Sequence, residues 1–85
     1  MKDLNRMAES ISDRISLVAF LAELARDFRL NEDSWESNDI YTFLDAMSAW
    51  LSSADQLYQN LQRPIPVEPS WRFFAEMFLA ARLYE

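Results

Sequence analysis

Between Asn38 and Leu61 the apolar residues fall at Ile40, Phe43, Leu44, Met47, Trp50, Leu51, Ala54, Leu57, Tyr58 and Leu61, with gaps of 3, 1, 3, 3, 1, 3, 3, 1 and 3. Only a helix brings such a series onto one side. The pattern predicts a single helix over 38–61, about 35 Å long given the α-helical rise. Asn38 is placed to cap it, and Asp39 falls in the first turn, where a carboxylate meets the positive helix end.

A second helical pattern covers 13–30. Leu17, Phe20, Leu21, Leu24 and Phe28 form its apolar side, and Ile15 and Val18 widen it. Ser12 or Asp13 can cap it, and Arg26 and Arg29 lie near its end, where cations are favoured. A short helix over 3–10, with Leu4, Met7 and Ile11 inward, is expected to precede it. Residues 62–69 read otherwise. Pro64, Pro66 and Pro69 forbid a regular helix, and each holds the residue before it extended. The segment is predicted to be a stiff strap, anchored by Ile65 and Val67. Ser70 then caps a last helix over 70–84 that is apolar on most sides. Trp71, Phe74, Ala75, Phe78 and Leu79 form one stripe, and Phe73, Met77, Ala80 and Tyr84 a second. Such a helix is either the centre of the domain or also a subunit interface.

The composition fits one small domain. Of the 85 residues, 51% are hydrophobic and 14% aromatic, enough for a core where burial only narrowly outweighs chain entropy. There is no glycine, which argues against a hairpin-rich β-fold. The expected fold class is therefore all-α: a small bundle of three long helices plus a short N-terminal one, with a Pro-rich extended strap before the last. No segment approaches the ~20 apolar residues of a membrane span, and no signal core follows the polar N-terminus. The absence of cysteine leaves a cytoplasmic location as the expectation.

The chain is also poor in chemical equipment. Without histidine or cysteine it lacks the usual nucleophile pairs and zinc ligands, and without glycine it lacks phosphate-cradling loops. The acids near Asn31–Thr42 do not match a calcium loop. The expectation is a protein with no enzymatic activity, no metal and no cofactor.

Charge is unevenly placed. The formal net charge is −6, and residues 30–62 contain Glu32, Asp33, Glu36, Asp39, Asp45 and Asp55 with no lysine or arginine at all. One reading is a solvated face; the other is a docking surface for a basic protein, selected by charge complementarity. Nucleic acid and anionic membrane are not expected as ligands, since no basic stripe exists to meet phosphate. Of the tryptophans, Trp50 lies on the core stripe and Trp71 staples the start of the last helix. Trp35, in the acidic loop, either pins that loop or offers an interface anchor.

The residues Trp35-Glu36, Phe43-Leu44, Ala49-Trp50, Asp55, Tyr58, Asn60, Pro69-Ser70-Trp71, Ala80-Ala81 and Tyr84-Glu85 carry a resemblance. Over about residues 13–85 the sequence resembles a family of small acidic bacterial proteins of unknown function. Two departures stand out: the family's Trp-Glu-Asn becomes Trp35-Glu36-Ser37-Asn38, and a glycine expected near Asn60 is absent. The resemblance implies a compact domain and no particular activity. By analogy, small acidic proteins of this kind look like antitoxin or immunity partners.

These observations converge on a non-catalytic protein-binding module, most concretely an immunity- or antitoxin-type inhibitor of a basic toxin. Glu32, Asp33, Glu36, Asp39, Asp45 and Asp55 would supply the field and Trp35 an anchor. Two rivals stand beside it. One is an adaptor subunit that self-associates through Phe73, Met77 and Tyr84 of the last helix. The other is a small-ligand regulatory domain with an aromatic-lined pocket.

Overall fold

Four of the helices begin where a short polar side chain folds back onto the first turn. In the computed structural model, which describes residues 3–64 and 68–83, α1 (Leu4–Glu9) starts at Asp3, whose carboxylate accepts from the amides of Asn5 and Arg6. Helix α2 (Arg14–Leu30) starts at Asp13, which accepts from the Ser16 amide at 2.8 Å while the Ser16 hydroxyl accepts from the Asp13 amide at 3.1 Å. Helix α3 (Ile40–Ser52) uses the same reciprocal device with Asp39 and Thr42. Helix α5 (Trp71–Ala81) starts at Ser70, whose hydroxyl accepts from the Phe73 amide at 3.0 Å. Each cap satisfies donors that the helix itself leaves open.

The fold class is all-α: no strand occurs among the described residues, and no described helix is long and apolar enough to cross a membrane. The first two helices lie close to the ranges expected of them, with Asp13 and not Ser12 as the cap of α2. The long helix over 38–61 is corrected. It begins one residue later, capped by Asp39 instead of Asn38, and it breaks at Ser53 into α3 and α4 (Ala54–Asn60). The Ser53 hydroxyl donates to the Ala49 carbonyl at 2.8 Å, and its amide is shared between the carbonyls of Ala49 and Trp50, both at 3.2 Å. This serine back-bonding tightens the turn and takes the backbone out of helical geometry. The gap of three from Leu51 to Ala54 keeps the apolar phase across the break, so periodicity alone runs straight through it.

Helix α4 ends in a full Schellman arrangement. The Arg63 amide reaches the Tyr58 carbonyl at 2.9 Å and the Gln62 amide reaches that of Gln59 at 3.0 Å. This requires a left-handed residue at position 62, and Gln62 takes φ 56° there. Of the strap, Ile65 and Val67 lie outside the described residues, as does Tyr84.

Helix α5 is the spine. It packs against α1, α2 and α3, whereas the backbones of α2 and α3 stay apart. Leu4, Ala8, Ile11, Leu17, Phe20 and Leu24 meet its Ala75, with Phe74, Phe78 and Leu79 packed alongside. On its other side Phe73, Met77 and Ala80 meet a second cluster of Trp50, Ala54 and Tyr58. Ala75 and Ala81 are wholly buried, because a methyl side chain is what lets neighbouring backbone come close. Of the two roles open to an all-round apolar helix, α5 takes the central one.

The loop before α3 completes the frame. The amides of Glu36 and Ser37 donate to the Arg82 carbonyl at 2.8 and 3.1 Å, and the buried Ser37 hydroxyl donates to the Ala81 carbonyl at 2.9 Å. These donors satisfy carbonyls exposed where α5 ends.

Candidate functional site

Ten apolar positions along 38–61 were too many for one buried stripe. Only Trp50, Ala54 and Tyr58 of that series are buried, together with Ala46, and Phe43 and Met47 are half-buried. Ile40, Leu44, Leu51, Leu57 and Leu61 face outward, correcting their assignment to the core. On α3 this makes a second stripe. Ile40, Leu44 and Leu51 stand at positions that a helix brings onto one side. They are 75%, 53% and 47% exposed, and Tyr41 beside them is 74% exposed. The stripe runs about 16 Å along the helix. Asp45 and Ser48 are exposed on the same helix, with Asp39 at its start and Asp55 in the first turn of α4.

The six acids of the basic-free segment are all exposed, and among the described residues none has an ion pair. They do not form one cluster. Glu32 and Asp33 sit in a 3-10 turn packed against α2, where they share a small groove with Arg29. Glu36 lies in the loop that seals α5, Asp39 caps α3, Asp45 lies midway along it, and Asp55 is in the first turn of α4. The Asp39 carboxyl is held below the usual carboxylate range by the hydrogen bonds from the Thr42 amide and hydroxyl, so it stays charged as a cap.

The C-terminal arginines do not neutralise these acids. Arg63 and Arg72 both reach Glu76 Oε2 at 3.2 Å, and Arg82 reaches Asp27 Oδ2 at 3.5 Å. Glu76 also accepts a short hydrogen bond from the Tyr58 hydroxyl. Burial, then that bond and the Glu76 charge, push the Tyr58 phenol up to about 12. Arg63 lies over the Tyr58 ring, 4.8 Å from its centre, in cation–π geometry. This cluster ties α4 and the start of the strap to α5.

A family model described as a family of unknown function, DUF7660, matches residues 13–85. The chain belongs to the DUF7660 family. The DUF7660 match begins at Asp13, the cap of α2, and takes in α2 to α5, leaving α1 before it. No curated protein and no solved structure matches the chain.

Trp35 is engaged within the domain. It is half-buried, meets Phe28 edge-on at 5.0 Å and stacks on Phe43 at 6.1 Å, and Phe43 continues to Phe78. Its indole nitrogen donates to Asp27 Oδ2 at 2.8 Å, the oxygen that Arg82 also reaches. Phe73 and Met77, expected as a self-association surface, are half-buried against Trp50 and Tyr58. An apolar groove lined by Trp50, Leu57, Ala80 and Leu83 runs between α4 and the end of α5 and is open to solvent. Sequence reasoning missed Asp27, which gathers Trp35, Asn31 and Arg82. It also missed the outward stripe of α3. The excess of apolar positions over what one helix face can bury was the available signal.

Proposed function

We propose that this domain is a non-catalytic binding module that receives a basic, amphipathic protein segment on the outer face of α3. The observation that carries it is the pairing of an exposed apolar stripe, Ile40, Leu44 and Leu51, with acids that have no counter-charge in residues 30–62. Apolar contact supplies affinity, while uncompensated carboxylates speed encounter and select against acidic partners. The lack of histidine, cysteine and glycine supports a role in binding and not in catalysis. An immunity- or antitoxin-type inhibitor that covers a basic toxin, acting in the bacterial cytoplasm, fits these features.

The test is co-expression with the protein encoded beside it, read as growth and as co-purification. Protection and a stable complex are expected. Leu44→Asp should abolish both, and Asp45→Asn with Asp55→Asn should weaken the complex about tenfold at low salt and much less at high salt. A complex indifferent to both variants would overturn the assignment of α3.

A further inference from the structure

Helix α2 carries a second exposed face, unlike that of α3 in both shape and charge. Ile15 and Val18 are 61% and 55% exposed, and Ala19, Ala22 and Ala25 continue that side. Arg14, Arg26 and Arg29 stand among them, all exposed, and among the described residues none of the three has an ion pair. The acids of the helix, Glu23 and Asp27, are half-buried at its flank and inner side. A helix in a monomer is expected to turn charged and polar residues outward; this one turns out alanines, two β-branched residues and arginines.

We propose that the outer face of α2 is a docking surface for the outer face of α3 of a second copy of this chain. The two faces complement each other twice. Ile40, Leu44, Leu51 and Tyr41 are large side chains standing off α3, and the alanines of α2 leave a flat track that such knobs can enter. The α3 side is acidic without bases, and the outer side of α2 carries Arg14, Arg26 and Arg29, with the acids Glu32 and Asp33 only beside Arg29 at its C-terminal end. The lengths match as well: Ile15 to Ala25 spans about 15 Å against about 16 Å for Ile40 to Leu51. Both faces are exposed within one chain and so are open for a neighbour. Like faces are disfavoured as partners: two α3 surfaces bring acids together and two α2 surfaces bring arginines together. A single helix pair lies at the small end of specific interfaces, so the contact is weak and reversible.

This inference does not need the heterologous partner proposed above, but it uses the same α3 face, so self-association and partner binding exclude one another. Sedimentation velocity on the full chain tests it. At about 0.05 M salt a concentration-dependent dimer or longer chain is expected near 100 µM, with its dissociation constant raised at least tenfold at about 0.5 M salt. Two variants separate the faces. Ala22→Glu with Arg26→Glu spoils α2, and Leu44→Arg with Asp45→Arg spoils α3. Each alone should be monomeric, while an equimolar mixture should regain a 1:1 complex, because one intact α2 face then meets one intact α3 face. If a variant fails to fold, amide shifts of the unmodified protein on dilution decide instead, and they should move on both outer faces together. A monomeric wild type, or a dimer that survives either variant, overturns the proposal, as does a mixture that does not reassociate or dilution shifts confined to one face. None of these touches the partner reading, which is scored by protection in co-expression.

Discussion

Asp27 does the most for the loop before α3, because one carboxylate oxygen receives both the Trp35 indole and the Arg82 guanidinium. Trp35→Phe keeps the ring stacked on Phe43 but strips the donor. It should cost about 1.5–3 kcal/mol in denaturant unfolding, the range for a hydrogen bond to a charged group. Gln62 holds the opposite kind of lesson. It sits in left-handed geometry that glycine adopts without steric cost, two residues after Asn60, near which the family resemblance leads one to expect a glycine. Gln62→Gly should therefore stabilise by about 0.5–1 kcal/mol after the entropy of a freer unfolded chain is counted, raising the melting temperature by about 4 °C. At Tyr58 the folded state favours the neutral phenol. Its contribution is complete below pH about 10 and is lost as the pH rises toward about 12. Unfolding followed across that window should show a decline that Tyr58→Phe removes. Neither the Asp27 nor the Tyr58 role was legible in the sequence, because each depends on a partner that only the fold brings close: Asp27 and Arg82 are 55 residues apart, and Tyr58 and Glu76 are 18.

The helices themselves were largely legible, since they rest on local chemistry. Asp13 with Ser16, Asp39 with Thr42, and Ser70 all stand in sequence just ahead of the runs they cap. Asp39→Ala should lower the melting temperature, and Asp39→Asn should retain most of what is lost, because an asparagine oxygen still accepts from the Thr42 amide. Both Asp13 and Asp39 are held below the ordinary carboxylate value by hydrogen bonds to their capped turns. Their stabilisation is therefore full above that value and disappears as the pH falls through their folded values. An acid titration of stability should lose part of its slope in the Asp39→Asn variant. What periodicity misjudged was partition and not helicity. A run with apolar residues at three- and four-residue spacing cannot say which of two adjacent stripes is buried; on α3 the inner arc took Ala46 and Trp50 and left Ile40, Leu44 and Leu51 outside. The acidic half of the candidate site could be read directly from the chain, but its apolar half emerged only once the core was seen to be full.

At the scale of the molecule, charge and packing are both organised around α5. Its arginine neighbours are absorbed by Glu76 and Asp27, so the exposed acids of residues 30–62 keep their charge, and the unpaired arginines of α2 lie on a different helix. The uneven distribution of charge in the sequence thus survives folding, although Glu32 and Asp33 end beside Arg29 and apart from α3. Packing has the same centre. Helices α2 and α3 each pack on α5 while their own backbones stay apart, and α1 packs on both α2 and α5. A chain ending at Pro69 should accordingly show no cooperative thermal transition by circular dichroism, whereas loss of a peripheral helix would leave a reduced one.

A spine that comes after everything it supports also sets an order of events. During synthesis α1 to α4 emerge first, and the clusters around Phe20, Leu24 and Trp50 stay half-covered until α5 has followed. Until α5 follows, the emerged helices present half-finished faces to chaperones, and its arrival closes both clusters together.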